Sequence, residues 1–145
     1  MPLTESWARE TLVKSLETGG IPAVFAHTAD DSVWTVVSPS SKALPIAGKH
    51  DKATHDPATS IGRSNNCFTA PQRYEITNLL VLPEKNTAVL EMIARATTKK
   101  GKDFENFHCL VVEYEKEGEK PKIIRTRQYM DSALLAETMK ANESS

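Results

Sequence analysis

The feature that most constrains this chain is a period-two alternation of side-chain character between Lys85 and Leu135, broken twice by polar turns. Thr87 to Thr97 is rich in apolar and β-branched residues and ends in Thr98-Lys99-Lys100-Gly101-Lys102, which reads as a strand entering a hairpin. Phe104 to Tyr114 is a second strand. It stops at Glu115-Lys116-Glu117-Gly118-Glu119-Lys120-Pro121, where charge and a Gly/Pro pair exclude further pairing. Lys122 to Met130 makes a third, and it leads into Asp131, a good N-cap for a helix carrying Ala133, Leu134 and Leu135.

Side chains two apart on a strand share a face. Val89, Glu91, Ile93 and Arg95 therefore lie together, as do Asn106 and His108, and Arg125, Arg127 and Tyr129. Ionisable groups thus sit in the middle of apolar strands. Glu91, between Leu90 and Met92, needs a cation or several donors if it is buried, and Arg127 is its expected partner.

Upstream, Thr4 reads as an N-cap, and Ala8, Leu12 and Leu16 recur at helical spacing until Gly19-Gly20. Ile21 to His27 is a second, shorter helix opened by Pro22, and Val33 to Val37 the first strand. Lys42 to Gly48 reads as an irregular loop, and Lys49 to Ile61 as a helix interrupted or restarted at Pro57. Gln72 to Leu82 is a long strand turned at Pro83-Glu84-Lys85-Asn86. A length of 145 residues suits a single domain, with an ordered core over about 4–140.

Lys and Arg number 18 against 19 acidic residues, so no long segment carries one sign, and neither nucleic acid nor a membrane is expected as partner. The run Lys99-Lys100-Gly101-Lys102 is a solvated hairpin tip. Cys67 and Cys109 form no metal spacing and read as reduced thiols. The N-terminus has no basic n-region and no apolar h-region, and no apolar stretch approaches the ~20 residues of a membrane span, so the expectation is a soluble cytoplasmic protein. There is no Gly-rich phosphate loop, nucleophile elbow or zinc signature, and His50 and His55, five apart, do not stack on one helical face. The expectation is no metal and no cofactor.

Trp34 in Asp30-Asp31-Ser32-Val33-Trp34, then Val89-Leu90-Glu91-Met92, Glu105-Asn106-Phe107-His108 and Arg127-Gln128-Tyr129-Met130-Asp131-Ser132-Ala133-Leu134, together resemble the SnoaL-like branch of the nuclear transport factor 2-like superfamily. The resemblance spans nearly the whole chain and is weakest between Ser38 and Pro71. It implies an α+β cone, a curved antiparallel sheet wrapped over N-terminal helices around an apolar cavity. It also implies a homodimer through the sheet's outer face, with which Leu90, Leu110 and Val112 as outward positions are compatible. Members include polyketide cyclases, ketosteroid isomerases, dehydratases and epoxide hydrolases, among them enzymes of secondary metabolism, beside binding or assembly domains without catalysis. Fold therefore does not fix reaction.

What the resemblance implies is cofactor-free acid–base chemistry on an apolar metabolite. The candidate catalytic residues are His108, Asp131, Glu91 and Arg127. Candidate substrate contacts are Asn106, Tyr129, Trp34 and His55. Asp131 matches the family's Arg-x-Tyr-x-Asp pattern but is equally a helix cap, and His108 is either a proton carrier or a core histidine satisfied by a hydrogen bond. Trp7 and Trp34 are cavity walls or simply core. If Glu91, Asn106, His108, Arg127 and Asp131 converge on one enclosed volume, an enzyme is favoured. If side chains fill that volume, a non-catalytic ligand-binding or assembly module is favoured.

Overall fold

Thr4 does cap the first helix: its side chain accepts from the Trp7 N–H at 3.1 Å. A computed structural model describes residues 2–37, 44–51 and 61–142 of the chain. Within them the first helix, α1, runs through Glu5–Ala8, a π-helical turn at Arg9–Val13, and Lys14–Gly19. Gly20 ends it in the left-handed region at φ 71°, where a Cβ would be strained and would also meet the Tyr74 ring at 3.6 Å. Next come α2 (Ile21–Val24) with a 3₁₀ turn at Phe25–His27, β1 (Thr28–Val36), β2 (Gly48–Asp51) and α3 (Ile61–Asn65). They are followed by β3 (Arg73–Leu82), β4 (Thr87–Thr97), β5 (Asp103–Tyr114), β6 (Ile123–Met130) and α4 (Ser132–Asn142).

The strands form one open sheet in the order β2-β1-β6-β5-β4-β3. Every pairing among them is antiparallel except β1 with β6, which run parallel. The fold is thus α+β as expected, with a sheet that is mixed rather than purely antiparallel. The parallel pair arises because β1 joins the sheet beside the last strand, and the long β3-β4-β5-β6 meander supplies the antiparallel part. Lys49, His50 and Asp51, expected to open a helix, instead pair with Thr35, Trp34 and Val33 as an edge strand. Of the helix expected over 49–61, residues 52–60 lie outside the described residues.

One face of the sheet packs on the helices. Leu12, Leu16, Ile21 and Val24 join Leu90, Met92, Leu110 and Val112 in a single buried cluster. Leu90, Leu110 and Val112 are fully buried, so they are not the outward positions of a docking face. The pleat decides this. Glu91 and Cys109, which pair across β4 and β5, take the outer side, so their sequence neighbours must face in. A buried hydroxyl pair ties α1 to β5. Thr11 Oγ1 donates to Trp7 O at 2.8 Å and so receives the Tyr114 O–H at 2.6 Å. No helix among the described residues is long and apolar enough to cross a membrane.

Candidate functional site

Along β5, Phe104, Asn106, His108, Leu110, Val112 and Tyr114 all point inward and are buried. His108 stands opposite Met92 on β4 and Met130 on β6, so its immediate cross-strand neighbours are thioethers. On β6 the inward set is Thr126, Gln128 and Met130, and on β1 it includes Trp34 and Val36. Three of these polar groups are joined. Trp34 Nε1–H donates to Gln128 Oε1 at 2.9 Å, and Gln128 Nε2 lies 2.9 Å from His108 Nδ1. The contact runs diagonally across β1, β6 and β5, at the two-residue offset that long side chains can bridge. Val37, a β-branched residue at φ 45°, follows directly, and its N–H donates to the Gln128 carbonyl at 2.7 Å. Such a backbone costs about 1–3 kcal/mol and persists only where its surroundings hold it.

His108 lines a cavity of about 20 Å³, with the polar Ser64, Gln72, Tyr74 and Gln128 and the apolar Ile21, Ile46 and Leu135 around it. That volume holds about one water. Ile21, Gln72 and Tyr74 separate it from an outer cleft of about 470 Å³ between the α1–α2 junction and the start of β3. The size of the cleft falls within the usual range for small-molecule sites. Burial pushes the His108 imidazole down to about 4, so the ring is neutral near pH 7. Desolvation likewise raises the Tyr74 hydroxyl well above the usual phenol range. The two rings meet edge to face at 6.2 Å. Neither His108 Nε2 nor the Tyr74 hydroxyl has a hydrogen-bond partner among the described residues. A buried wall on which His108 and Tyr74 are both neutral suits binding or polarising an oxygen atom.

No protein-family model and no curated protein matches the sequence. Solved structures do. An NTF2-like protein from Burkholderia thailandensis superposes with a TM-score of 0.68 at 19% identity, over 92% of this chain and 95% of that one. The fold is NTF2-like. AusH from Aspergillus nidulans matches with a TM-score of 0.70 at 14% identity, over 99% of both chains. BvnE pinacolase from Penicillium brevicompactum matches at 0.69 and 12% identity, over 96% of this chain and 97% of that one.

Within this NTF2-like cone the residues singled out from the sequence divide by face. His108, Asn106 and Trp34 are inside and buried. Asn106 is occupied at the β6–α4 junction: its side-chain amide donates to Asp131 O at 3.1 Å and its oxygen accepts from Asp131 N at 3.0 Å. Asp131 is exposed and caps α4, Oδ1 accepting from the Leu134 N–H at 3.0 Å. It acts as a cap and does not line the cavity. Glu91 is exposed on the outer face and accepts from Asn78 Nδ2 at 3.0 Å, so the expected Glu91–Arg127 pair does not form. Arg127 instead meets Glu113 at 2.8 Å, with Arg125 at 2.7 Å from the same carboxylate. Register explains the change: Glu91 pairs with Cys109 and Arg127 with Val111, one pleat apart on the same outer side. Tyr129 is also outward and 46% exposed, so it does not contact a ligand in the cavity. His55 lies outside the described residues. Trp7 is half-buried and donates from Nε1 to Pro121 O at 2.8 Å.

Two residues of the site escaped the sequence reading. Gln128 was hidden between the more conspicuous Arg127 and Tyr129, although its two-residue spacing to Met130 marks the inward face. Tyr74 shares the inward parity of Ile76 on β3, ahead of the register shift between Ile76 and Asn78.

Proposed function

We propose that the chain is a cofactor-free enzyme acting on an apolar metabolite with a carbonyl or epoxide oxygen, by isomerase-, cyclase- or lyase-type chemistry. The observation that carries this reading is the buried neutral His108 on the wall of a small cavity of mixed polar and apolar lining, with Tyr74 on the same wall. Both supply hydrogen bonds to charge that develops on the substrate oxygen, in a buried site where such bonds are stronger than in water. The outer cleft offers room for the body of the ligand beyond Ile21 and Tyr74.

The test is turnover on a panel of apolar polycyclic ketones, lactones and epoxides. On the substrate so found, His108→Phe should lose about a hundredfold to a thousandfold in kcat with the fold intact. Full turnover in that variant would overturn the reading. Of Glu91, Asn106, His108, Arg127 and Asp131 only His108 lines the inner cavity, and the small size of that cavity supports a second reading, a non-catalytic ligand-binding or assembly module. Saturable binding of panel members in the outer cleft, with no product, would favour it.

We also propose a homodimer through the outer face of the sheet. β5 presents Glu105, Phe107, Cys109, Val111 and Glu113 there, an apolar centre between charged ends, and Phe107 is 64% exposed. Around Glu105 the cluster Arg95, Glu75 and Glu105 has an acidic excess, whereas Arg125, Arg127 and Glu113 have a basic one. A two-fold axis between them lays the acidic end of one copy on the basic end of the other. Light scattering should give twice the chain mass for the wild type and one chain mass for Phe107→Glu. A wild-type monomer at micromolar concentration would remove the dimer.

A further inference from the structure

The contact between Trp34, Gln128 and His108 decides where the histidine proton sits. An indole N–H only donates, so the Gln128 atom 2.9 Å from Trp34 Nε1 must be the amide oxygen. That fixes the other end of the amide. The group facing His108 Nδ1 at 2.9 Å is then an NH₂, which only donates, and Nδ1 must be the acceptor. A proton on Nδ1 would set two donors against each other in a buried site. The neutral ring consequently carries its proton on Nε2, the nitrogen without a partner among the described residues.

We infer that Gln128 and Trp34 are positioning residues that lock His108 as the Nε2–H tautomer, so that it meets a ligand as a hydrogen-bond donor and not as a base. This rests on the reading of His108 as the polar group of the site, and it deepens that reading by naming the ligand group. With Nδ1 occupied by the amide and Nε2–H free, the ring selects an acceptor: a carbonyl oxygen, an enolate or an epoxide oxygen. A hydroxyl or amine offered only as donor finds no lone pair on it. The proton that leaves the substrate must be taken by another group. The lock spans β1, β6 and β5, so its geometry is set by sheet register and does not depend on one loop. The Val37 N–H on the Gln128 carbonyl and the buried Trp34 ring against Phe25 hold its two ends.

The experiment is long-range proton–nitrogen NMR on the ¹⁵N-labelled full chain at neutral pH. His108 is assigned by the signals missing from His108→Phe. The expected result is a protonated Nε2 and a bare Nδ1, with that tautomer in excess by about tenfold or more, as the penalty for a buried donor facing a donor implies. A protonated Nδ1, or signals averaged between the two forms, would overturn the inference. Gln128→Glu with its carboxylate ionised, as read from the side-chain ¹³C shift, replaces the amide by an acceptor-only group, so the proton should move to Nδ1. An unchanged Nε2–H form beside an ionised carboxylate at position 128 would show that residue 128 does not set the tautomer; a protonated carboxyl donates as the amide does, and the Trp34 variant then decides. Should Gln128→Glu not fold, Trp34→Phe serves: freeing the amide to turn should produce a measurable Nδ1–H fraction, and a pure Nε2–H form would overturn the role of Trp34. The tautomer is read without ligand. Its failure therefore removes the lock alone, whereas full turnover in His108→Phe removes the site reading and leaves the lock standing.

Discussion

The two faces of strands β4 to β6 both carry polar side chains and treat them in opposite ways. On the concave face the polar residues are uncharged: Asn106, His108, Thr126 and Gln128 are buried, with Gln128 bonded to His108 and Asn106 to the Asp131 backbone. On the convex face they are mostly charged, and Glu91, Arg95, Glu105, Glu113, Arg125 and Arg127 form partly exposed pairs beside Phe107 and Leu80. The physical reason is the cost of desolvating an ion, which exceeds that of burying an amide or a neutral imidazole once each has a partner. Chemistry follows the same division. A charged carboxylate in water near its ordinary acidity is a poor catalyst, whereas a dry neutral donor is poised to meet developing charge.

The contrast breaks most visibly at the core. Leu110→Ala on the concave face should cost about 2–5 kcal/mol in urea unfolding, because the fully buried side chain leaves a cavity behind. A loss below about 1 kcal/mol would mean that this face is not packed as described.

Acid should act through the concave face as well. His108 binds a proton at about 4 in the folded chain against an ordinary 6.5, so between these values the unfolded state holds more protons. Stability from this group is complete above about pH 6.5 and is lost as pH falls towards 4, by about 3 kcal/mol in total. Denaturant midpoints measured across that window should fall for the wild type and stay flatter for His108→Phe. Equal slopes would assign the acid sensitivity elsewhere.

Gln128→Leu should come next, since it removes the acceptor that meets the Trp34 N–H and the donor that meets His108 Nδ1, at about 1–3 kcal/mol for buried hydrogen bonds lost. Asp131→Ala removes the α4 cap and should cost about 1 kcal/mol with ligand binding unchanged. The smallest effect belongs to the convex face. Glu91→Gln should move stability by less than about 0.5 kcal/mol, because it exchanges one exposed partner of Asn78 for another. A loss of several kcal/mol would restore the buried ion pair that the alternation had suggested.

What was legible from the residues follows from the same division. The strands over 87–97, 103–114 and 123–130 and the Asp131 cap were readable because period two, turn residues and an N-cap are local signals. The partners that Glu91 and Arg127 take, Asn78 and Glu113, were not, because alternation says which residues share a face but neither which face is inside nor which residues meet across strands. That choice rests on cross-strand register, and here Leu90 and Leu110 pair on the buried side, sending Glu91 and Cys109 out. Gln128 carries no mark of its role in the sequence, since its function is to bridge two residues from strands far apart in the chain. Nothing local marks β2 as a strand, because His50 and Lys49 lack β-propensity and owe their conformation to pairing with Trp34 and Thr35.

The central claim is that His108 is a buried, neutral group on the concave face. Its direct test is the pH titration of the His108 imidazole by NMR, alongside the other histidines. The account predicts a midpoint near 4 for His108, with no change in its charge between pH 6 and 8. A midpoint near 6.5 would place the ring in water or beside an anion, and would contradict both the dry cavity and the function proposed for it.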